Sequence, residues 1–308
     1  MELRHLRYFV AVAEEGSLTV AAARRLHTAQ PSLSRQIRDL EHEVGVSLMT
    51  RGARGIELTA AGRAFLEHAR LALAQTEAAV AAARRAGQVA RPSFALGFLT
   101  GQEMDWLPAA MEVLQGALPN VDVVVSSQYS PELADGLLRG RLDVAFMRAE
   151  PGMAGLAYKL ALREKLIVVL PSDHRLAGRG LAGRGAIGIG EIAGEVFIGM
   201  SKTAPALRLV IGAYLRQCGI DIKPKHEVDN IGMAVSLVAS TRGVALLPDY
   251  ARNFLPWSVV SRPLEGEAPT IDLVIGHNRA NASPVLKMFL QRSDELIGRV
   301  AAKVNAAR

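Results

Sequence analysis

The residues best placed to do chemistry lie close together between Thr28 and Arg38. Leu33, Ile37, Leu40 and Val44 recur at helical spacing, which turns Ser32, Ser34, Arg35 and Arg38 off the buried face. Arg can fork onto a guanine edge, Gln can pair with adenine, and Ser can bond bases or phosphates. A short helix that shows Gln, Ser and Arg outward is what reading a DNA major groove needs.

The elements that must position these side chains are legible around them. Ser17 is an expected N-cap, and Val20, Ala23 and Leu26 supply a narrow apolar stripe. His27 to Gln30 interrupts the pattern, and Pro31 suits the first turn of a second helix. Leu3 to Ala13 is expected as a preceding helix with Leu6, Phe9, Val10 and Ala13 facing this pair. Gly45 stops the second helix, and SLMTRGARGIELT reads as a two-stranded wing with Arg51 and Arg54 at its tip.

This stretch resembles the N-terminal domain of LysR-type transcriptional regulators. AAARRLHTAQPSLSRQIRDLE followed by LTAAG carries the likeness. Met49 stands where the family usually has Phe, a gap that a flexible thioether can fill. The resemblance implies a winged helix-turn-helix over residues 1–58 that binds double-stranded, pseudo-palindromic DNA. The expected contact set is Thr28, Gln30, Pro31, Ser32, Ser34, Arg35, Arg38, Arg51 and Arg54.

Composition agrees with that expectation. The 308 residues carry a formal charge of +6, and residues 1–92 hold thirteen Arg, no Lys and nine acidic groups. Arginine alone as the cation there suits bidentate phosphate and base contacts. No apolar run is long enough to span a bilayer, and Glu14 and Glu15 end the first apolar stretch too early for a secretory signal. The expected location is the cytoplasm. Cys218 is the single cysteine. An internal disulfide is therefore impossible, and the thiol is expected to be a small buried group on a helix.

From Thr59 to about Gly87 the chain is Ala-rich and free of Pro. Phe65, Ala69, Ala72, Thr76, Ala79 and Ala83 alternate in steps of four and three, while Leu66, Leu73 and Val80 recur every seven. A helix of roughly 40 Å follows. Such a helix needs a partner, and small residues at this spacing point to a second copy. The segment 59–90 resembles the family's dimerising linker helix with its hinge at GQVARP, and a homotetramer is implied.

Beyond the hinge the pattern alternates between strands and helices, which predicts an α/β unit with a parallel sheet, and residues 91–308 resemble the family's effector domain. By resemblance it has two halves like those of periplasmic binding proteins. Lobe I covers 91–162 and 269–308, and lobe II covers 163–268. One continuous last helix is expected over Pro284–Val300. Ligands in such sheets bind beyond the carboxyl ends of strands, where helix N-termini also point. Those positions carry Thr100, Gly101 and Gln102, then Gln128 and Ser130, then Arg148, and from the second half Ser201 and Asn230. Hydroxyls, helix N-termini and one Arg suit a small carboxylate. Thr100, Ser130 and Asn230 are equally readable as plain helix caps, and Arg148 as a structural ion pair.

HLRYFVAVAE, LDVAFMR and PDYARNFLPWSVVSRPLEG together resemble the LysR-type regulators of phenylpropionate and cinnamate catabolism, which implies an aromatic carboxylic acid as effector. Family membership also implies contact with RNA polymerase. Two other readings stand beside this one: an oxidant acting at Cys218, and a small-molecule binding protein without a DNA role. Catalysis is not expected, because no nucleophile–base pair or phosphate loop is visible. Gly178, Gly180 and Gly183 spell GxGxxG without the strand and helix that a dinucleotide needs. The seven histidines lack metal-ligand spacing, so no cofactor is expected.

Overall fold

The computed structural model describes residues 1–52, 55–87, 92–117, 119–150, 152–178 and 185–306. Arg54 and the side chain of Arg51 lie outside the described residues, as do Gly180, Gly183 and most of the GQVARP hinge. The chain forms two units, Met1–Gln88 with Leu138–Arg141, and an α/β unit of Val89–Leu137 with Leu142–Arg308.

In the first unit α1 (Leu3–Glu15) ends at Gly16, whose left-handed φ of 62° turns the chain sharply. Ser17 caps α2 (Leu18–Val20), accepting from the Val20 N–H at 3.3 Å. The helix then widens into a π-helical stretch over Ala21–Leu26. That widening corrects the expected Val20–Ala23–Leu26 stripe. It rotates Ala21 and Ala22 into the core and leaves Ala23 exposed. The recognition-type helix α3 (Gln30–Val44) buries Leu33, Ile37 and Leu40 and ends at Gly45, while Val44 is exposed instead of buried. Strands β1 (Met49–Gly52) and β2 (Gly55–Leu58) pair antiparallel as the wing. Met49 is half-buried against the unit's core, the position expected for the family's Phe.

Thr59 starts α4 (Ala60–Gly87), accepting from the Gly62 N–H at 2.9 Å. Phe65 meets Phe9 edge-on at 5.1 Å between ring centres, and Ala69 is buried in the same core. The N-terminal part of the coiled-coil pattern is thus occupied within its own chain, because α1 lies across it. Ala72, Ala79, Val80 and Ala83 remain exposed.

The second unit is a mixed sheet, which corrects the parallel sheet expected. Strands β3 (Ser93–Leu99), β4 (Asp122–Gln128) and β5 (Val144–Met147) run parallel. The long β6 (Leu156–Pro171) and β11 (Thr270–Asn278) are antiparallel neighbours that close this half. In the other half, β7 (Phe197–Met200), β8 (His226–Val228) and β9 (Val244–Pro248) are parallel. The far end of β6 pairs antiparallel with both β9 and β10 (Val259–Pro263). The mixture follows from chain economy, since two strands crossing between halves in opposite directions must lie antiparallel.

Strand β6 leaves the first half only after Lys165, because Leu162 still pairs with Leu273 and Lys165 with Thr270. The outward crossing therefore comes later than Leu162. The return lies at Pro269, whose carbonyl accepts from the Leu166 N–H at 2.9 Å.

Helix α5 (Glu103–Ala117) buries Trp106 against Phe146 on one face of the first half. Helix α6 (Ser130–Leu138) covers the other face, where a Cβ on Gly97 would come within 2.6 Å of Leu133. In the second half α7 (Pro205–Gln217) and α8 (Ile231–Thr241) pack on the sheet. The expected last helix is broken at Arg292 into α9 (Pro284–Gln291) and α10 (Ser293–Ala306), and Leu286, Phe289, Leu296 and Val300 from the two pieces share one core. No helix among the described residues is long and apolar enough to cross a membrane.

Candidate functional site

The residues expected to contact DNA are placed by their exposure. Pro31, Ser32, Arg35 and Arg38 on α3 are exposed, and Thr28, Gln30 and Ser34 are partly so. Arg35 approaches Asp39 only to 4.0 Å, with 79% of its side chain exposed. Arg38 Nε donates weakly to the Ser34 carbonyl at 3.4 Å. These cations sit in water, where pairing is worth little and their charge stays available to phosphate.

The wing is held to α3 by Glu41, whose Oε1 accepts from the Leu48 and Met49 N–H groups at 2.7 and 2.9 Å. It is also held to Gly16, whose carbonyl accepts from the Ile56 N–H at 2.8 Å. A Cβ on Gly55 would come within 2.5 Å of that carbonyl. Glu14 ties three elements together by accepting from Arg70 (2.6 Å) and pairing with Arg25. Burial raises the Glu14 carboxyl, but hydrogen bonds from Arg70 and Arg25 outweigh it and hold it below its ordinary value.

In the α/β unit a cavity of about 160 Å³ opens where strand ends of both halves meet. Leu99, Met200, Leu207, Ile231 and Phe254 give it an apolar wall. Its size is close to that of an apolar cavity, about 150 Å³, known to take benzene. Of the expected residues, Thr100, Ser130, Arg148 and Asn230 line it.

Asn230 caps α8, accepting from the Met233 N–H at 2.7 Å. Ser130 is not a cap as expected. It is the first residue of α6, and its Oγ accepts from the Arg148 N–H at 2.9 Å. Thr100 lines the cavity; its hydroxyl accepts from the Ser127 hydroxyl at 3.2 Å and its N–H is bound to the Gln128 carbonyl at 3.2 Å.

The structure does not bring Gly101, Gln102, Gln128 or Ser201 to the cavity wall. The Gly101 N–H is occupied by Glu103 at 2.6 Å, and a Cβ there would come within 2.2 Å of Phe254. Gln102 is fully buried and donates to Glu164. Gln128 is exposed. Ser201 stands behind Thr203, which does line the cavity, with their hydroxyls 2.6 Å apart.

Arg148 is 5% exposed and forms a buried ion pair with Glu164. The guanidinium is therefore matched on one side from within the protein, as a structural ion pair. Its other terminal nitrogen, Nη1, is enclosed without a hydrogen-bond partner among the described residues. The guanidinium also lies 5.8 Å from the centre of the Tyr250 ring. Burial and the charges of Glu164 and Glu103 push the Tyr250 hydroxyl far above its ordinary range, so it stays a neutral donor to the Thr100 carbonyl at 3.4 Å.

Sequence reasoning missed Glu150, Thr203, Tyr250 and Phe254. PDYARNFLPWSVVSRPLEG contains Tyr250 and Phe254, but no spacing signal shows that the Tyr250 hydroxyl reaches the Thr100 carbonyl of the neighbouring half. Cys218 closes α7 and is exposed, which corrects its expected burial. Among the described residues no metal-binding cluster occurs.

An exposed arginine helix with a wing, and an α/β unit with a cavity between two half-sheets, define a ligand-responsive DNA-binding protein. The chain belongs to the LysR family of transcriptional regulators. The family profile for the bacterial regulatory helix-turn-helix protein, lysR family, matches residues 3–63, and that for the LysR substrate binding domain matches residues 87–296.

The chain is 36% identical over 303 residues to the Hca operon transcriptional activator HcaR of Escherichia coli (strain K12), covering 98% of this chain and 100% of HcaR. It is 31% identical over 265 residues to the regulator BenM of Acinetobacter baylyi, covering 86% of each. Among solved structures, full-length BenM is similar with a TM-score of 0.59 at 26% identity, covering 99% of this chain and 98% of that one. Full-length CbnR complexed with its target DNA is similar with a TM-score of 0.54 at 26% identity, covering 96% of this chain and 100% of that one.

Proposed function

We propose that this regulator senses an aromatic carboxylic acid held in the cavity between the two half-sheets, and that residues 1–58 carry the signal to operator DNA. The observation that supports the effector class is the cavity itself, an apolar wall of single-ring size with hydroxyls, a helix N-terminus and one unpartnered guanidinium nitrogen at its edge. The resemblance to regulators of phenylpropionate and cinnamate catabolism points the same way. Residues 59–90 pair two chains through the exposed face of α4 (Ala72, Ala79, Val80, Ala83), and dimers pair into tetramers. The DNA contacts are Thr28, Gln30, Pro31, Ser32, Ser34, Arg35 and Arg38, with Arg51 and Arg54 on the wing. Ligand binding favours one arrangement of the half-sheets, and the shift at the promoter and at RNA polymerase is bounded by the ligand's differential affinity for the two arrangements. The chain works in the cytoplasm, with the DNA.

A thermal-shift series tests this in a buffer free of carboxylate anions. A ligand of the folded state raises Tm by mass action. Single-ring aromatic acids raise Tm more than aliphatic acids of equal charge, and Thr203→Trp, which fills the cavity from its rim, removes the shift. Equal shifts for both acid classes, or shifts that survive Thr203→Trp, would sink the reading.

A further inference from the structure

The charges around the cavity narrow the ligand further than an acid with a ring. Among the described residues three charged side chains line it: Arg148, Glu150 and Asp229. Arg148 is already matched by Glu164, which is itself 3% exposed. Carboxylates therefore outnumber free cations at the wall. A ligand carrying two carboxylates would bring its second charge to a wall with no cation to meet it, and like charges across a short apolar gap repel strongly.

Glu150 is the unusual member. It is 8% exposed, it lies just beyond the end of β5, and its Oε1 has no hydrogen-bond partner among the described residues. An enclosed carboxyl oxygen without a donor is costly and calls for an explanation. Burial, and then the nearby charge of Glu132 on the first turn of α6, push the Glu150 carboxyl above its ordinary value. The protein thus supplies neighbouring acid where a donor would relieve the carboxyl.

Arg148 Nη1 has the complementary need, a buried donor without an acceptor. Two unpaired buried groups of opposite demand on one cavity wall suit a ligand with an acceptor at one end and a donor at the other.

We propose that Glu150 is a specificity residue that selects an aromatic monocarboxylic acid bearing a ring hydrogen-bond donor, such as a phenolic hydroxyl, and rejects dicarboxylates. This rests on the effector reading above and deepens it. The carboxylate meets Arg148 Nη1 and the hydroxyls of Thr100 and Thr203, the ring lies on Leu207, Ile231 and Phe254, and the ring hydroxyl donates to Glu150.

The test is calorimetric titration of the full chain with three probes: cinnamate, ring-hydroxylated cinnamates at each position, and a dicarboxylate of similar length. The proteins are wild type, Glu150→Gln and Glu150→Leu, each checked for an unchanged melting transition without ligand. At least one hydroxycinnamate binds wild type about tenfold more tightly than cinnamate, and the dicarboxylate binds weakest. Glu150→Leu erases that preference while keeping cinnamate binding, and Glu150→Gln, which still accepts a hydrogen bond, keeps part of it. A hydroxyl preference that is absent in wild type, or unchanged in Glu150→Leu, overturns the role of Glu150 alone. A dicarboxylate that binds tightest overturns the charge argument. Failure of every acid to bind a folded wild type overturns the effector reading together with this one.

Discussion

Arginine does opposite work in the two units. On α3, Arg35 and Arg38 stand in water with only weak neighbours. In the α/β unit Arg148 is buried, paired with Glu164 and stacked near Tyr250. The difference follows from what each must bind. DNA presents a dense line of phosphates, so a solvated arginine gains on contact by releasing counterions. A small ligand offers one charge and little area, so its site must be held in shape before the ligand arrives, and a buried pair with Glu164 and Gln102 holds it. Helix α3 therefore keeps its cations in water, and the α/β unit uses Arg148 to shape the wall.

The largest effect that can break this comparison lies at Arg148. Arg148→Ala leaves Glu164 buried with only the Gln102 amide, and stability falls by about 3–5 kcal/mol. The double variant Arg148→Met with Glu164→Leu recovers most of that loss, since two apolar groups replace a desolvated pair. Urea unfolding followed by the fluorescence of the buried Trp106 reads both. A single variant that loses less than about 1 kcal/mol would show that the pair is not enclosed as described. Binding defects in Arg148→Ala are for this reason best judged beside the double variant.

Arg35→Ala and Arg38→Ala come next. Each weakens operator binding by about 1–3 kcal/mol if it reads a base, and lowers the salt dependence by about one counterion if it meets phosphate. Each leaves folding stability within about 0.5 kcal/mol, because neither side chain is packed. Operator titrations at several salt concentrations, beside thermal melts, decide it. A melting loss without a binding loss would reverse the contrast.

The smallest effect is on acid sensitivity. The Glu14 carboxyl lies below its ordinary value near 4.5, so its link to Arg70 and Arg25 supports the first unit above that pH and is lost as pH falls through the lowered value. Asp105 in the second unit behaves in the opposite sense. Burial, and the nearby charge of Asp249, raise it above 3.8 against the hydrogen bond from Asn253, so protonation on acidification relieves a strain present at neutral pH. Hydrogen exchange between neutral pH and pH 4 should show protection falling around Glu14, Arg25 and Arg70 before it falls around Asp105 and Asn253. The reverse order would contradict both assignments.

How much was legible follows the range of the interactions. The outward side of α3 could be read because helix period alone decides it, and Leu33, Ile37 and Leu40 behave as their spacing predicts. The π-helical turn at Ala21–Leu26 could not be read, because its register is chosen by packing on α1. In the α/β unit, strand positions were legible from apolar runs, but their direction was not, since pairing depends on where β6 and β11 cross. The cavity residues were half legible. Thr100, Ser130, Arg148 and Asn230 follow from standing at strand ends, whereas Tyr250 and Phe254 arrive from a 3-10 helix distant in the chain.

By itself the sequence determined a short helix with arginines on its outward face, a long Ala-rich helix and an α/β unit, because these rest on local period, caps and residue type, while its motifs carried the resemblance to LysR-type regulators. Only the tertiary structure decided that Arg148 is paired, that Gln102 and Gly101 sit behind the wall, and that Glu150 waits without a donor. Those facts depend on which groups from distant segments exclude water from one another, and burial of that kind has no signature in local spacing.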